Sequence, residues 1–356
     1  MRSLRSIVGA TILLLISSQA FALPRFTAMA EQKCNLCHVN PTGGGMRNSY
    51  GSQYFAQTEM AVHKVALERI TDFQPNVSDN ISLGMDMRSL YIYNEDTKQS
   101  TLFQMEGNFY LSAQVTDKIA MATSRDLNGV YDIYGMGYYL PHKGYFKVGK
   151  FQPSYGWRFA DHTSFVRERM LWTSTYYDTG IEFGLYPYGI SANLGIFNGS
   201  GGQLDDNQGK AMAFRIEGRK HLNQFGFGLG GSYWRNDREA STVDMYGPFF
   251  YINAFKGRII HIGEFDWLKD HSTDITAFAT TQKLALQITQ GVWIEAQYDF
   301  QDPDVDLKSG RVSRFVFSID YFPIGFLEVT PTVRFYDDEL SNRNYTDFIQ
   351  QFHFFF

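Results

Sequence analysis

The chain has 356 residues, a formal net charge of −5, 16% aromatic residues with 31 Phe and 22 Tyr, 32 Gly, and only two cysteines. Mild negative charge without a long basic run speaks against a nucleic-acid partner. Beyond the first 22 residues no stretch approaches the ~20 consecutive apolar residues of a membrane helix, so any membrane crossing must be made by strands.

Those first 22 residues read as an export signal. Arg2 and Arg5 give a basic start, Ile7 to Ile16 an apolar run too short to span a bilayer, and Ala20-Phe21-Ala22 a small-x-small cleavage site. Cleavage after Ala22 starts the mature chain at Leu23.

The two cysteines stand in Cys34-Asn35-Leu36-Cys37-His38. This C-x-x-C-H spacing attaches a c-type haem: each thiol forms a thioether with one vinyl group, and His38 ligates the iron from the proximal side. A zinc site would need further ligands and there is no second cysteine pair. A Cys34–Cys37 disulfide is open to an exported chain but gives His38 no role. Gly43-Gly44-Gly45 predicts a tight bend, and the pattern from Met46 to about Ile70 predicts a helix. For the distal side of the iron, His63 is favoured, then Met60, with Met46 also in reach. Met85 and Met87 fall in the first strand, and a five-coordinate iron stays open. The segment 23–79 is too short to build a cytochrome core of its own, so its haem has to lean on another surface.

From about Asn80 to the C-terminus the chain divides into sixteen segments with strand patterning, which predicts a 16-stranded transmembrane antiparallel β-barrel over 80–356. They lie near 81–93, 101–114, 117–125, 130–140, 144–153, 178–187, 189–198 and 210–220, then 223–235, 244–255, 258–269, 273–287, 291–301, 311–322, 326–338 and 345–356. In 292–300, Val292, Ile294, Ala296, Tyr298 and Phe300 form one face and Trp293, Glu295, Gln297 and Asp299 the other. Segments 314–321 and 327–335 split in the same way. Short links such as Pro141-His142-Lys143 and Lys256-Gly257 alternate with long ones such as 154–177, 199–209 and 302–310, the pattern of short periplasmic turns and long outer loops. A two-sheet sandwich would also alternate in polarity, but not in link length. Arg215, Glu217, Arg219, Glu264, Asp266, Glu295, Asp299, Arg314 and Arg334 are expected to point into the lumen. The longest link carries Arg158, Asp161, His162, Arg167, Glu168 and Arg169, and suits either a loop folded into the pore or an ordinary solvated loop.

An export signal, one CxxCH motif near the mature N-terminus and a porin-sized barrel together resemble the fused outer-membrane cytochrome–porins, which include iron-oxidising outer-membrane cytochromes. The ending Phe352-His353-Phe354-Phe355-Phe356 is similar to the C-terminal signature of bacterial outer-membrane barrels. What the resemblance implies is one covalent haem c held by Cys34, Cys37 and His38, and residence in the bacterial outer membrane. It also implies electron exchange between an extracellular donor or acceptor and periplasmic c-type cytochromes. The chain is short for the iron-oxidising members, so iron as the external substrate does not follow. Val148-Gly149-Lys150-Phe151-Gln152-Pro153 is weakly similar to phosphate-selective porins. Three functions compete: an electron conduit, a diffusion porin whose haem segment acts as plug or redox-sensitive gate, and haem catalysis on a small oxidant such as peroxide. No set of catalytic residues accompanies the third.

Overall fold

The computed structural model describes residues 24–356 except 31, 128, 160, 171–175, 206, 239 and 240. The export signal expected over 1–22 lies outside the described residues. A short strand, β1 (Asn76–Ser78), leans on the first strand of a closed antiparallel barrel. Its first eight strands are β2 (Ile81–Asn94), β3 (Gln99–Thr116), β4 (Ile119–Asp126), β5 (Tyr131–Leu140), β6 (Gly144–Phe151), β7 (Asp178–Leu185), β8 (Ile190–Phe197) and β9 (Ala211–Leu222). The second eight are β10 (Phe225–Asp237), β11 (Thr242–Ala254), β12 (Ile259–Asp270), β13 (Thr276–Thr289), β14 (Val292–Asp302), β15 (Val312–Ile324), β16 (Leu327–Asp338) and β17 (Arg343–Phe355). Each pairs with its neighbour, and β17 pairs with β2 from Asp347↔Asn94 to Phe355↔Asp86 to close the ring. Closure leaves no barrel strand with a free edge, the condition for a sheet in hydrocarbon. All sixteen barrel strands stand where the sequence pattern puts them, with boundaries moved by a few residues.

Period-2 patterning becomes two chemically different surfaces. On β15, Phe315, Phe317 and Ile319 are 51%, 48% and 46% exposed on the outside, while Arg314, Val316 and Asp320 are buried inside. The same exposure of Ile133, Ile196, Phe227, Leu284, Phe335 and Phe354 wraps the barrel in an apolar band. Such a surface suits a hydrocarbon layer. The nine ionisable residues expected in the lumen are all turned inward and at most 15% exposed at the side chain.

Link lengths alternate less strictly than the sequence suggests. The links 95–98, 127–130, 238–241 and 339–342 are four residues long, no longer than 186–189 and 255–258 at the opposite end. Only 152–177, 198–210 and 303–311 are distinctly long, and all three lie at one end. Both ends of the barrel chain lie at the other, where Phe356 exchanges hydrogen bonds with Met85 at 3.0 and 3.3 Å.

The segment before the barrel fills the short-turn end. Its helix Pro24–Ala30 lies inside the wall, where Phe26 meets Phe55, Trp293 and Phe322 edge-on at 5.6, 6.1 and 6.0 Å. Arg25 pairs with Glu295 and Asp320 of the wall. The helix expected from Met46 to Ile70 is shorter, running Tyr50–Met60 with the wide i→i+5 hydrogen bonding that recurs at functional sites. It stops because Ala61 turns extended and the Val62 and His63 amides donate to the carbonyls of Phe322 and Pro323 at 2.9 and 3.1 Å. A 3₁₀ turn, Leu67–Asp72, follows. From the opposite end the loop 152–177 folds inward. Asp161 is held by Arg314 and Arg334 at 3.0 and 3.2 Å, Arg167 by Glu264 at 2.7 Å, and the Trp157 indole donates to the Phe250 carbonyl at 3.2 Å. Of the two readings open to this loop, the pore-filling one holds.

Tags inserted at Gly201 and Ser309 are expected to be reached by an impermeant reagent from one side of the membrane, and tags at Pro141 and Gly257 only from the other; labelling of all four from one side contradicts this topology. Replacing Arg25 by Ala removes the cation beside Asp320, and breaking a buried pair this way costs about 3–5 kcal/mol. Protease should then cut near Pro24–Ala30 in the variant while sparing the wild type.

Candidate functional site

The haem-motif residues form a compact local structure. Cys34–Leu36 is one 3₁₀ turn, closed by hydrogen bonds from the Cys37 and His38 amides to the Cys34 carbonyl at 3.3 and 3.1 Å. The chain then makes a narrow hairpin, with His38 bridged to Arg47 and the Val39 amide donating to the Met46 carbonyl at 3.0 Å. Its tip is Gly43-Gly44-Gly45, with φ of 85°, 71° and 63°, three successive left-handed residues that only glycine adopts without penalty. A Cβ on Gly43 would sit 3.0 Å from the Cys34 sulfur, so the bend passes directly beside that thiol.

Two residues fasten the motif to the following helix. Asn48 donates its side-chain amide to the Leu36 carbonyl at 2.7 Å, accepts from the Gly51 amide at 2.9 Å, and donates its backbone amide to the Cys37 carbonyl at 2.9 Å. Gly51 lies so close behind Cys37 that a Cβ there would meet the Cys37 carbonyl oxygen at 2.3 Å. Cys37 is buried, Cys34 is half-buried, and the two are thiols rather than a disulfide.

His38 is buried, with Nδ1 3.2 Å from the Gly45 carbonyl. A haem- or metal-binding histidine typically has its second ring nitrogen engaged this way, which fixes the tautomer and leaves Nε2 as the ligating atom. Burial, with Arg47 adding to it, lowers the imidazole pKa to about 4, so the ring is neutral as iron ligation requires. Cys34 and His38 both line a lumen cavity of about 250 Å³ that lies between the hairpin, strands β2 to β5 and the inward loop. Cys34, His38 and the glycine bend therefore suit a haem attached at this motif, while Cys37 lies outside the cavity lining, in the buried cluster with Phe26 and Phe55.

The distal candidates separate. His63 is exposed at the short-turn rim, and Met60 is packed into an apolar cluster with Phe26, Phe55 and Trp293; neither lines the cavity. Both are drawn away by the docking of the helix end on the β15–β16 turn. Met46 does line the cavity, and so do Met105 of β3 and His162 of the inward loop. His162 lies with Nε2 3.4 Å from the Arg88 guanidinium. Sequence reasoning passes over Met105 and counts His162 only as a loop charge, because no local pattern tells that a residue so far along the chain folds back over the motif. Met85 and Met87 lie on β2, outside the cavity lining.

No family profile matches the chain, and no curated protein is similar to it in sequence. Solved structures are similar in fold. OprB of Pseudomonas putida superposes with a TM-score of 0.63 at 9% identity, over 85% of this chain and 100% of that one. OmpT, an outer membrane protein of Vibrio cholerae, gives 0.59 at 13% identity over 80% and 100%. An anion-selective porin from Comamonas acidovorans gives 0.55 at 9% identity over 78% and 99%. At these identities the likeness establishes the architecture, a porin-type 16-stranded barrel.

Proposed function

We propose that the protein is an outer-membrane barrel whose lumen is closed by an N-terminal segment carrying one covalent c-type haem. In this reading it passes single electrons between an extracellular donor or acceptor, iron among the candidates, and periplasmic c-type cytochromes. One observation carries the proposal: Cys34 and His38 line the same lumen cavity, with His38 Nδ1 already committed to a backbone carbonyl. The apolar outer band and the porin-type fold support the outer-membrane setting.

Bound there, the haem supplies reversible one-electron exchange at its iron. The chain's own part is to hold and insulate it. Cys34 and Cys37 carry the thioethers and His38 presents Nε2. Asn48 and Gly51 lock the motif against its helix, and the Gly43–Gly45 bend keeps side chains away from the Cys34 sulfur. The wall and the inward loop replace the protein core that so short a segment lacks. Trp157, Phe159 and Tyr177 of that loop line the cavity.

A second reading, a diffusion porin whose haem segment is a redox-sensitive plug, is favoured by the likeness to porins and by a plug seated through side-chain ion pairs and packing. Liposomes holding the purified protein and a trapped electron acceptor separate the two. The conduit predicts that denatured protein keeps its haem with a c-type pyridine haemochrome spectrum. It further predicts that an external reductant reduces the trapped acceptor, that His38→Ala stops this with the barrel still folded, and that small solutes leak slowly. Rapid solute flux without haem-dependent reduction favours the gated porin, and a wild type without covalent haem refutes both.

A further inference from the structure

Five arginines line the lumen cavity. Four of them are matched by carboxylates: Arg88 by Glu106 at 3.1 Å, Arg167 by Glu264 at 2.7 Å, and Arg215 and Arg219 by Glu217 at 3.1 and 2.7 Å. The fifth, Arg158 of the inward loop, has no carboxylate within ion-pair distance among the described residues. Its Nη1 donates to the Gln152 side-chain oxygen, and its Nη2 to the Gln152 carbonyl at 3.1 Å and to Thr42 Oγ1 at 3.0 Å. Lys33, the remaining basic residue of the lining, points to the Tyr186 and Ile190 carbonyls at the rim, with its ammonium 4.3 Å from the centre of the Tyr186 ring.

An unmatched guanidinium is an anomaly in this lumen, where burial penalises charge and the other cavity arginines are paired. Burial does act against Arg158, with no adjacent carboxylate to offset it. Glu182, one of the acidic groups acting on it, is committed to Lys147 at 2.8 Å; Tyr177, Cys34, Tyr134, Asp132, His38 and Lys147 are the other titratable groups around it. Three hydrogen bonds leave two of its five N–H donors for something else. The position of those donors is specific. Thr42 and Gly44 belong to the hairpin that carries Cys34 and His38, and a Cβ on Gly44 would lie 3.3 Å from Arg158 Cδ. The two donors left, Nε–H and one Nη1–H, are not a parallel pair, so a carboxylate at this place takes a single charge-assisted N–H bond.

A haem bound at the motif carries two such groups, its propionates. We infer that Arg158 is the counter-cation of a haem propionate, so that the inward loop and the haem segment are joined through the cofactor as well as through Thr42. The inference rests on the haem reading above and adds to it that the loop 152–177 is part of the haem seat rather than only a constriction of the pore.

The test compares wild type, Arg158→Gln and Arg158→Lys as purified full-length proteins, after pyridine haemochrome spectra have established their haem content. Potentiometric titration and resonance Raman spectra of the propionate bending band are then recorded. Loss of a cation beside the propionate leaves negative charge that favours ferric iron, so Arg158→Gln should show a lowered midpoint potential and a shifted propionate band at equal haem content. Arg158→Lys keeps the charge but replaces the remaining guanidinium N–H donors by an ammonium at a different position, and should restore the midpoint in large part while the band stays shifted. Should Arg158→Gln fail to fold, the Lys variant decides alone: an unshifted band overturns the inference. Unchanged midpoint and band in both variants overturn it as well. So does unchanged haem spectroscopy together with loss of inorganic phosphate binding, which would make Arg158 a free-anion site. A wild type without haem ends the functional reading itself, and that outcome is distinct from haem present but indifferent to Arg158.

Discussion

Charge pairing inside a closed wall is the constraint on which this structure depends. The barrel points acidic and basic side chains into its lumen, where burial leaves each in need of a partner of opposite sign. The wall supplies many of the pairs only in part. Glu295 and Asp320 take Arg25, and Asp86 takes Arg47 at 3.0 Å, both cations coming from the N-terminal segment. Glu264 takes Arg167, while Arg314 and Arg334 take Asp161, both partners coming from the loop 152–177. Filling and wall thus complete one another's charge pairs around the lumen cavity.

That constraint also positions the haem motif. The hairpin from His38 to Arg47 is narrow because three glycines turn it, and it is anchored at both ends. Arg47 fixes one end to Asp86, which also accepts from Tyr110 and lies beside His353; Asn40 at the other end takes the Lys147 ammonium at 3.3 Å. Between these anchors the Thr42 hydroxyl meets Arg158, 116 residues later in the chain. Segment and loop come from opposite ends of the barrel and meet at the cavity that Cys34 and His38 line. An electron carrier seated there would be shielded by the wall on all sides and approached only along the barrel axis, a geometry that favours transfer across the membrane over transfer within its plane.

Much of this architecture is legible in the sequence because it rests on local periodicity. Alternation in 292–300 and 314–321 sorts lumen from lipid residues correctly, down to Glu295, Asp299 and Arg314, since a strand has only two faces and one of them must be apolar. The Cys34–His38 motif is legible as a motif for a similar reason, being five consecutive residues, while the haem it would carry is a proposal. The distal side is not. His63 and Met60 are near in sequence but follow a helix whose end is pulled to the β15–β16 turn, while Met105 and His162 reach the cavity from a strand and a loop that only closure of the barrel brings there. Link length is misleading at 186–189 and 339–342, because a four-residue connection serves either end of a barrel.

The central claim is that the lumen of the barrel, rather than its periplasmic face, holds the iron. Diffraction from crystals of the haem-loaded protein at the iron absorption edge tests this most directly. The account predicts a single anomalous peak inside the barrel, bonded to His38 Nε2 and lying between the Gly43–Gly45 bend and the loop 152–177. An iron peak outside the strand cylinder, or an N-terminal segment withdrawn from the lumen, would contradict it.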